Sequence, residues 1–160
     1  MIKTPEPGQS MTRVRILSYG SAPTTYILIV IGGYVSATGS GLACPDWPLC
    51  QGQAIPPLEG AVLIEYTHRV FALVVTAFVL STMVYALMNL RGERVVVALS
   101  TGSFLLLVAQ VILGMVTVRT ELNPFVSTAH LALASGVFAL VLANAITVRN
   151  LVSDERRLTS

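Results

Sequence analysis

The chain of 160 residues is 54% hydrophobic and only 11% charged, and its formal net charge is +2 at pH 7. A soluble globular domain carries about a quarter charged residues, so this composition predicts an integral membrane protein instead. The small positive charge gives no indication of a nucleic-acid partner.

Four stretches of the chain lack Asp, Glu, Lys and Arg, and each is long enough to cross a bilayer as a helix. Because only helices and closed barrels span a bilayer, we predict an all-α integral membrane protein, a bundle of four transmembrane helices. The predicted bundle covers residues 19–149, with helices at 19–38, 61–90, 94–118 and 124–148, an outer loop at 39–60, an N-terminal segment at 1–18 and a tail at 150–160. The first apolar run is long enough to remain as an anchor, so we do not expect a cleaved signal peptide.

Basic residues orient the predicted bundle. They concentrate in the N-terminal segment, the second loop and the C-terminal tail: Lys3, Arg13, Arg15, Arg91, Arg94, Arg149, Arg156 and Arg157. By the positive-inside rule these parts face the cytoplasm, whereas the first and third loops face outward. We therefore expect a multi-pass protein of a prokaryotic plasma membrane with both termini cytoplasmic.

The first outer loop holds the only two cysteines of the chain, Cys44 and Cys50. Disulfides persist on the outer side of the membrane, so this location favours a bridge between them. Such a bridge either shapes the loop or takes part in redox chemistry, and two free thiols are the remaining alternative. Pro45 and Pro48 restrict the intervening loop, and Trp47 suits the membrane interface.

The only two histidines, His68 and His130, lie in apolar stretches about two helical turns from the outer face. An imidazole is costly in hydrocarbon, and helices two and four run in the same direction, so the pair predicts one shared ligand across a pseudo-two-fold axis. Glu65 lies one turn before His68 on the same helical face. The alternatives are hydrogen-bonded packing histidines and an ion pair between Glu65 and Arg69.

Helices one and three bring small and polar side chains to the predicted interior. These recur at helical spacing, as Gly32, Ser36 and Ser40 in helix one and as Ser103, Gln110, Gly114 and Thr117 in helix three. Close helix packing accounts for most of such a pattern. In mid-membrane, Gln110 either makes an interhelical hydrogen bond or contacts a ligand.

Two groups of motifs resemble those of the haem A synthases. The first is Thr38-Gly39-Ser40-Gly41-Leu42 with Cys44-Pro45-Asp46-Trp47-Pro48-Leu49-Cys50, followed by Glu65-x-x-His68-Arg69. The second is Gln110-x-x-Leu113-Gly114-x-x-Thr117-Val118 and then Asn123-Pro124 ahead of His130. The similarity runs from about Gly32 to Ala134, and the loop motif is long enough to be highly specific.

The resemblance implies a haem-modifying oxidoreductase. Such enzymes oxidise a methyl substituent of haem O through successive hydroxylations to the formyl group of haem A, which terminal haem-copper oxidases use. By motif position, His68 and His130 are the expected ligands of the haem iron, Glu65 the catalytic acidic residue, and Cys44 with Cys50 the loop cysteine pair. The implied cofactor is haem, as haem O substrate or haem b. The implied partners are the prenylated haem, the bilayer, a haem O synthase and an electron acceptor.

Two departures from the family accompany this resemblance. Family members usually have about twice this length and two similar four-helix halves, so the chain either works with one haem site or assembles as a homo-oligomer. The family commonly has arginine at the position of Ser36. Arg69 and Arg119 lie toward the outer side, so we expect one of them to bind a haem propionate in its place.

Two other functions fit parts of the sequence. A non-enzymatic b-type cytochrome that passes electrons would need the two histidines but would have no use for Glu65. A quinone-linked membrane thiol oxidase would also be a small four-helix protein with outer cysteines, but it normally needs a second cysteine pair.

Overall fold

The structure is a computed structural model that describes the backbone of residues 7–159 and the side chains of residues 12–153. Over this range the chain forms four α-helices and a short 3-10 helix, with no β-strand between residues 7 and 159. The helices are α1 (Pro7–Ala37), α2 (Gly60–Asn89), α3 (Arg94–Arg119) and α4 (Pro124–Thr159), and the 3-10 helix is Ser40–Leu42. The predicted all-α bundle is confirmed.

All four helices are long and apolar enough to cross a membrane, over Thr12–Ala37, Gly60–Asn89, Arg94–Arg119 and Pro124–Ser153. The chain is therefore a multi-pass membrane protein. The first and last helices extend beyond the predicted apolar stretches: α1 begins at Pro7 and α4 ends at Thr159. A helix can continue beyond the hydrocarbon region with polar side chains, whereas the absence of charged residues predicts only the part of the helix inside the membrane. Residues 1–6 of the predicted N-terminal segment and residue 160 of the tail lie outside the described backbone, and the cytoplasmic placement of the termini stays a prediction.

Local chemistry sets the helix ends that flank the tight connections. The side chain of Asn123 accepts the backbone N–H of Phe125 at 3.0 Å, and Pro124 occupies the first helical position of α4. Both residue types favour a helix start. At the end of α2, Arg91 donates from Nε to the carbonyl of Leu87 at 2.9 Å and so satisfies one of the last backbone acceptors.

The helices pack in a closed ring in which each contacts its neighbours in the chain and α4 returns to α1. Consequently α1 lies diagonally opposite α3, and α2 lies diagonally opposite α4. A central apolar layer joins α2, α3 and α4 through Val75, Val79, Leu107, Val137 and Val141, each at most 3% exposed. Ala22 and Leu28 of α1 pack against this layer.

The buried positions repeat between the two helical hairpins. Every described buried position of α1 matches a buried position of α3 at a constant offset of 82 residues, and α2 from position 75 onward matches α4 at an offset of 62. The pairs are Val14 and Val96, Ser18 and Ser100, Ser21 and Ser103, Thr25 and Leu107, Val35 and Thr117, Val75 and Val137, Val79 and Val141, Thr82 and Asn144, and Ala86 and Val148. The same offsets relate Gly32 to Gly114 and His68 to His130. The bundle thus has an internal pseudo-two-fold axis that runs along the helices.

Candidate functional site

Each histidine packs against a glycine of the preceding helix. A Cβ atom added to Gly32 of α1 would lie 3.0 Å from Cε1 of His68 on α2. A Cβ atom added to Gly114 of α3 would lie 3.1 Å from Cε1 of His130 on α4. These distances are shorter than most Cβ contacts in proteins, so a larger residue at either position would require the imidazole to shift by a few tenths of an ångström. The two pockets are equivalent under the internal repeat.

Both imidazoles keep a polar atom unsatisfied. The Nδ1 atoms of His68 and His130 are buried and have no hydrogen-bond partner among the described residues. An unpartnered polar atom in a membrane interior costs free energy, so it indicates a ligand that the polypeptide does not supply. Two imidazoles on diagonally opposite helices would fit a haem, because histidine side chains can hold its iron.

Three polar side chains near the histidines have no counterpart in the other half of the bundle. Where α3 has Gln110, the repeat places Leu28 in α1, and where α2 has Glu65 and Arg69, it places Ser127 and Leu131 in α4. The amide Nε2 of Gln110 lies 3.3 Å from Nε2 of His130, whereas its Oε1 is buried without a partner. The site is therefore symmetric in its histidines and asymmetric in the groups around them.

Glu65 is 5% exposed and forms an ion pair with Arg69, whose Nε donates to Oε1 of the carboxylate at 2.9 Å. The two residues are one helical turn apart on α2, a spacing that brings such side chains together. The intrahelical pair expected as an alternative to catalysis is thus present. It leaves the carboxylate on the buried face of the helix that carries His68.

The rest of the Arg69 guanidinium binds the backbone of the first outer loop. Nη1 donates to the carbonyls of Asp46 and Leu49, both at 2.7 Å, and Nη2 donates to the carbonyl of Cys44 at 2.6 Å. Arg69 thus links Glu65 to the loop that covers this end of the bundle. These contacts could not be predicted from the sequence, because any residue can supply a backbone carbonyl. An arginine within an apolar helix is the signal that could have indicated them.

The loop itself is closed by a disulfide between Cys44 and Cys50, which are 0% and 2% exposed. The predicted bridge is present. The carboxylate of Asp46 accepts the backbone N–H groups of Gln51 at 2.6 Å and Gly52 at 2.8 Å. These contacts brace the disulfide loop from its outer side.

Acidification tests the role of Asp46 in this loop. The N–H of Gly52, followed by that of Gln51 and the charge of Arg69, holds the pKa of the Asp46 carboxyl below its ordinary value of 3.8. Because the pKa is lower in the folded protein, the contact stabilises the loop above about pH 4 and is lost as the pH falls through the lowered value. Hydrogen-exchange protection of the Gln51 and Gly52 amides should therefore stay constant from pH 7 to 5 and fall only in more acidic solution.

The matched variants for this measurement are Asp46→Asn and Glu59→Gln, because Glu59 is an exposed carboxyl of the same loop. Asp46→Asn should lower the protection of at least one of the two amides already at neutral pH, since the amide offers one acceptor oxygen instead of two. Glu59→Gln should not. Equal protection in wild type and Asp46→Asn would contradict the assignment.

The remaining predicted site residues lie apart from this cluster. Arg119 is exposed at the end of α3, on the side of the bundle that carries the disulfide loop. Ser36 is exposed and Ser40 lies beyond the end of α1. Ser36 therefore does not face the interior as predicted, whereas Ser40 is buried at 1% exposed but lies in the 3-10 helix rather than in α1. The stripe predicted for helix three does face inward, with Ser103 and Thr117 buried.

Comparison with known proteins places the chain in a family. A family model described as "Cytochrome oxidase assembly protein" matches residues 15–63 and 58–160, which is most of the chain. The chain belongs to this family. The matched residues include the disulfide loop, Glu65 and both histidines.

Several relatives within the cytochrome oxidase assembly family are named "Heme A synthase". The relative from Geobacillus thermodenitrificans is 31% identical over 129 residues, which are 81% of this chain and 41% of the relative. That from Alkalihalophilus pseudofirmus is 37% identical over 71% of this chain and 38% of its own length. That from Bacillus pumilus is 32% identical over 86% of this chain and 47% of its own length. The chain thus spans less than half the length of the curated relatives it matches.

Proposed function

We propose that the chain binds a haem between His68 and His130 and oxidises a methyl substituent of haem O to the formyl group of haem A. The proposal rests on the pair of imidazoles that each have an unpartnered Nδ1 atom, pack on a glycine and are related by the internal repeat. The names of the relatives support the haem chemistry. A symmetric pair of ligands with asymmetric polar neighbours also suits a flat ligand of which only one edge reacts.

The residues have distinct parts in this proposal. His68 and His130 hold the iron, Gly32 and Gly114 give their rings space, and Gln110 orients the ring of His130 through the 3.3 Å contact. When bound, the haem supplies the redox chemistry of iron.

Conversion of a methyl group to a formyl group takes one oxygen atom from water and releases four electrons and four protons. A membrane electron acceptor must accept the four electrons, and a nearby base must accept the protons.

Glu65 is the proposed base. It is the buried carboxylate on the histidine-bearing face of α2, one turn from His68 toward the loop end. A carboxylate can accept protons released at the substrate edge and pass them toward the outer surface. Its partner Arg69 positions it and keeps the loop closed above it.

The charge that binds a haem propionate is assigned to Arg119 in this proposal. Four of the five N–H donors of Arg69 are already directed to Glu65 and the loop carbonyls. The exposed guanidinium of Arg119 lies at the same end of the bundle. Binding by Arg69, also predicted from the sequence, would require it to release the loop.

The chain covers less than half of its relatives, so we further propose that two copies assemble to give a double bundle. Haem O would reach the site from the haem O synthase through the bilayer, since its prenyl tail is a lipid anchor. The proposed topology keeps the disulfide loop and Arg119 on the outer side of the membrane, as the positive-inside rule predicts.

Incubation of the purified protein with haem O in vesicles, with an added electron acceptor, tests the proposed function. Extraction and mass analysis of the porphyrins should identify the hydroxymethyl intermediate and the formyl product. A protein that binds haem with a low-spin spectrum but leaves haem O unchanged would be a b-type cytochrome, and the proposed activity would be wrong.

Substitution of the two adjacent glycines Gly32 and Gly33 separates ring packing from general helix effects. Gly32→Ala should displace the imidazole of His68, because its Cβ would lie 3.0 Å from Cε1. Overpacking of this kind costs about 1–3 kcal/mol, which corresponds to haem binding weakened about fivefold to 150-fold. Gly33→Ala should bind haem normally, since its Cβ would meet nothing within 4 Å. Haem titration of both variants measures the difference, and equal affinities would refute the packing of His68 on Gly32.

A further inference from the structure

A second polar site lies in the half of the bundle away from the disulfide loop. Here the helices line a small, partly open cavity of about 10 Å³, close to the smallest volume that admits one water molecule. Its polar lining comes from all four helices: Ser21, Thr82, Ser100, Ser103 and Asn144. Each of these residues is at most 3% exposed.

Three pairs of lining positions, 21 with 103, 79 with 141 and 82 with 144, are equivalent under the internal repeat. The cavity therefore lies on the pseudo-two-fold axis.

The hydroxyl groups around the cavity offer mainly acceptors. Each of the four can donate its proton to the carbonyl one turn earlier in its own helix, at 2.8 Å for Ser21, Thr82 and Ser100 and at 2.7 Å for Ser103. Ser21 and Thr82 also approach each other at 3.2 Å. A hydroxyl that donates to its own helix keeps its lone pairs free for another donor. The cavity thus lacks donors rather than acceptors.

Asn144 brings the strongest unsatisfied group to this cavity. Its side-chain Oδ1 is buried and has no hydrogen-bond partner among the described residues, although the residue is only 3% exposed. Its Nδ2 lies 3.5 Å from Oγ of Ser18, across the interface between α4 and α1. A buried amide oxygen without a donor is costly, so this position calls for a ligand with a hydrogen to donate.

We propose that this cavity binds one water molecule, which donates to Oδ1 of Asn144 and to at least one lining hydroxyl oxygen. Water matches the cavity in volume and in its ability to donate two hydrogen bonds. Water also fits if the Asn144 amide is rotated so that Oδ1 and Nδ2 exchange places, because water can accept a hydrogen bond from Nδ2. A metal cation fits less well, since no Asp or Glu side chain lines the cavity within residues 12–153.

The water would join the two hairpins of the bundle. It would link Asn144 of the second hairpin to Ser21 or Thr82 of the first, to which Asn144 makes a long direct contact at Ser18. The apolar layer that contains Val75 and Val137 separates it from the histidines. The site is therefore independent of haem binding.

A crystal structure of the full chain, at a resolution that shows ordered waters elsewhere, tests this site directly. The protein should be purified once with sodium salts and once with choline as the only cation. We expect one density peak at hydrogen-bonding distance from Asn144 and a lining hydroxyl in both preparations. A cavity without density would overturn the proposal. So would a peak that is present only with sodium, because the ligand would then be a cation.

Three variants locate the ligand more closely. Asn144→Leu should abolish the peak, because leucine fills the space and offers no acceptor. Thr82→Val is nearly isosteric and preserves the test if the leucine variant does not fold; it should reduce the occupancy of the peak or move it toward Ser103. Ser135→Ala, which removes a hydroxyl from the exposed face of α4, should leave the peak unchanged. An unaltered peak in both cavity variants would contradict the assigned partners.

Discussion

Replacement of either His68 or His130 by alanine should abolish the low-spin haem spectrum of the purified protein. Each imidazole lies in an equivalent glycine pocket with an unpartnered Nδ1 atom, so each would supply one ligand to the haem iron. Loss of one strong-field ligand leaves the haem five-coordinate and high-spin, or releases it altogether. Visible spectra and the ratio of haem to protein after purification measure the two outcomes.

Leu131→Ala is the control for the histidine variants. Leu131 follows His130 directly in α4 but is 55% exposed on the lipid-facing side of the bundle. This variant should retain both the haem and its low-spin spectrum. If either histidine variant keeps the wild-type spectrum, that residue is not an iron ligand.

Glu65→Gln should bind haem O with the wild-type spectrum and fail to form the formyl product. Glutamine keeps the shape of the side chain and can still accept the hydrogen bond from Nε of Arg69, which is 2.9 Å long in the wild type. It cannot accept a proton, and loss of a general base typically lowers a rate about 10²–10⁴-fold. Porphyrin analysis of the reaction should show accumulated haem O.

Glu59→Gln is the matched control, because it removes an exposed carboxylate six positions earlier in the chain. It should retain full activity. Loss of haem binding together with activity in Glu65→Gln would favour a purely structural pair with Arg69. Undiminished activity would exclude Glu65 from the chemistry.

The number and nature of the helices could be predicted from charge alone. Ionised side chains are so costly in hydrocarbon that their absence over about 20 residues identifies a span without any knowledge of packing. For the same reason, His68 and His130 could be predicted as site residues, because a polar residue within such a span needs a partner. The full lengths of α1 and α4 could not be predicted, since a helix continues outside the membrane without an apolar signal.

Contacts between helices could not be predicted from the sequence. That Gly32 makes room for His68 depends on how α1 and α2 pack, and the sequence alone gave Gly32 only a general role in close packing. The partners of Arg69 are backbone carbonyls, which any residue could supply. Asn144 was not predicted as a site residue, although it lies in an apolar run as Gln110 does, and that position is the signal that could have indicated the second polar site.

The most direct test of the account is electron paramagnetic resonance of the oxidised, haem-loaded protein, combined with its haem content. The account predicts one low-spin haem per chain with two imidazole ligands, and loss of that signal in the variant that lacks both His68 and His130. A high-spin signal in the wild type, or a low-spin signal that survives in the double variant, would contradict it.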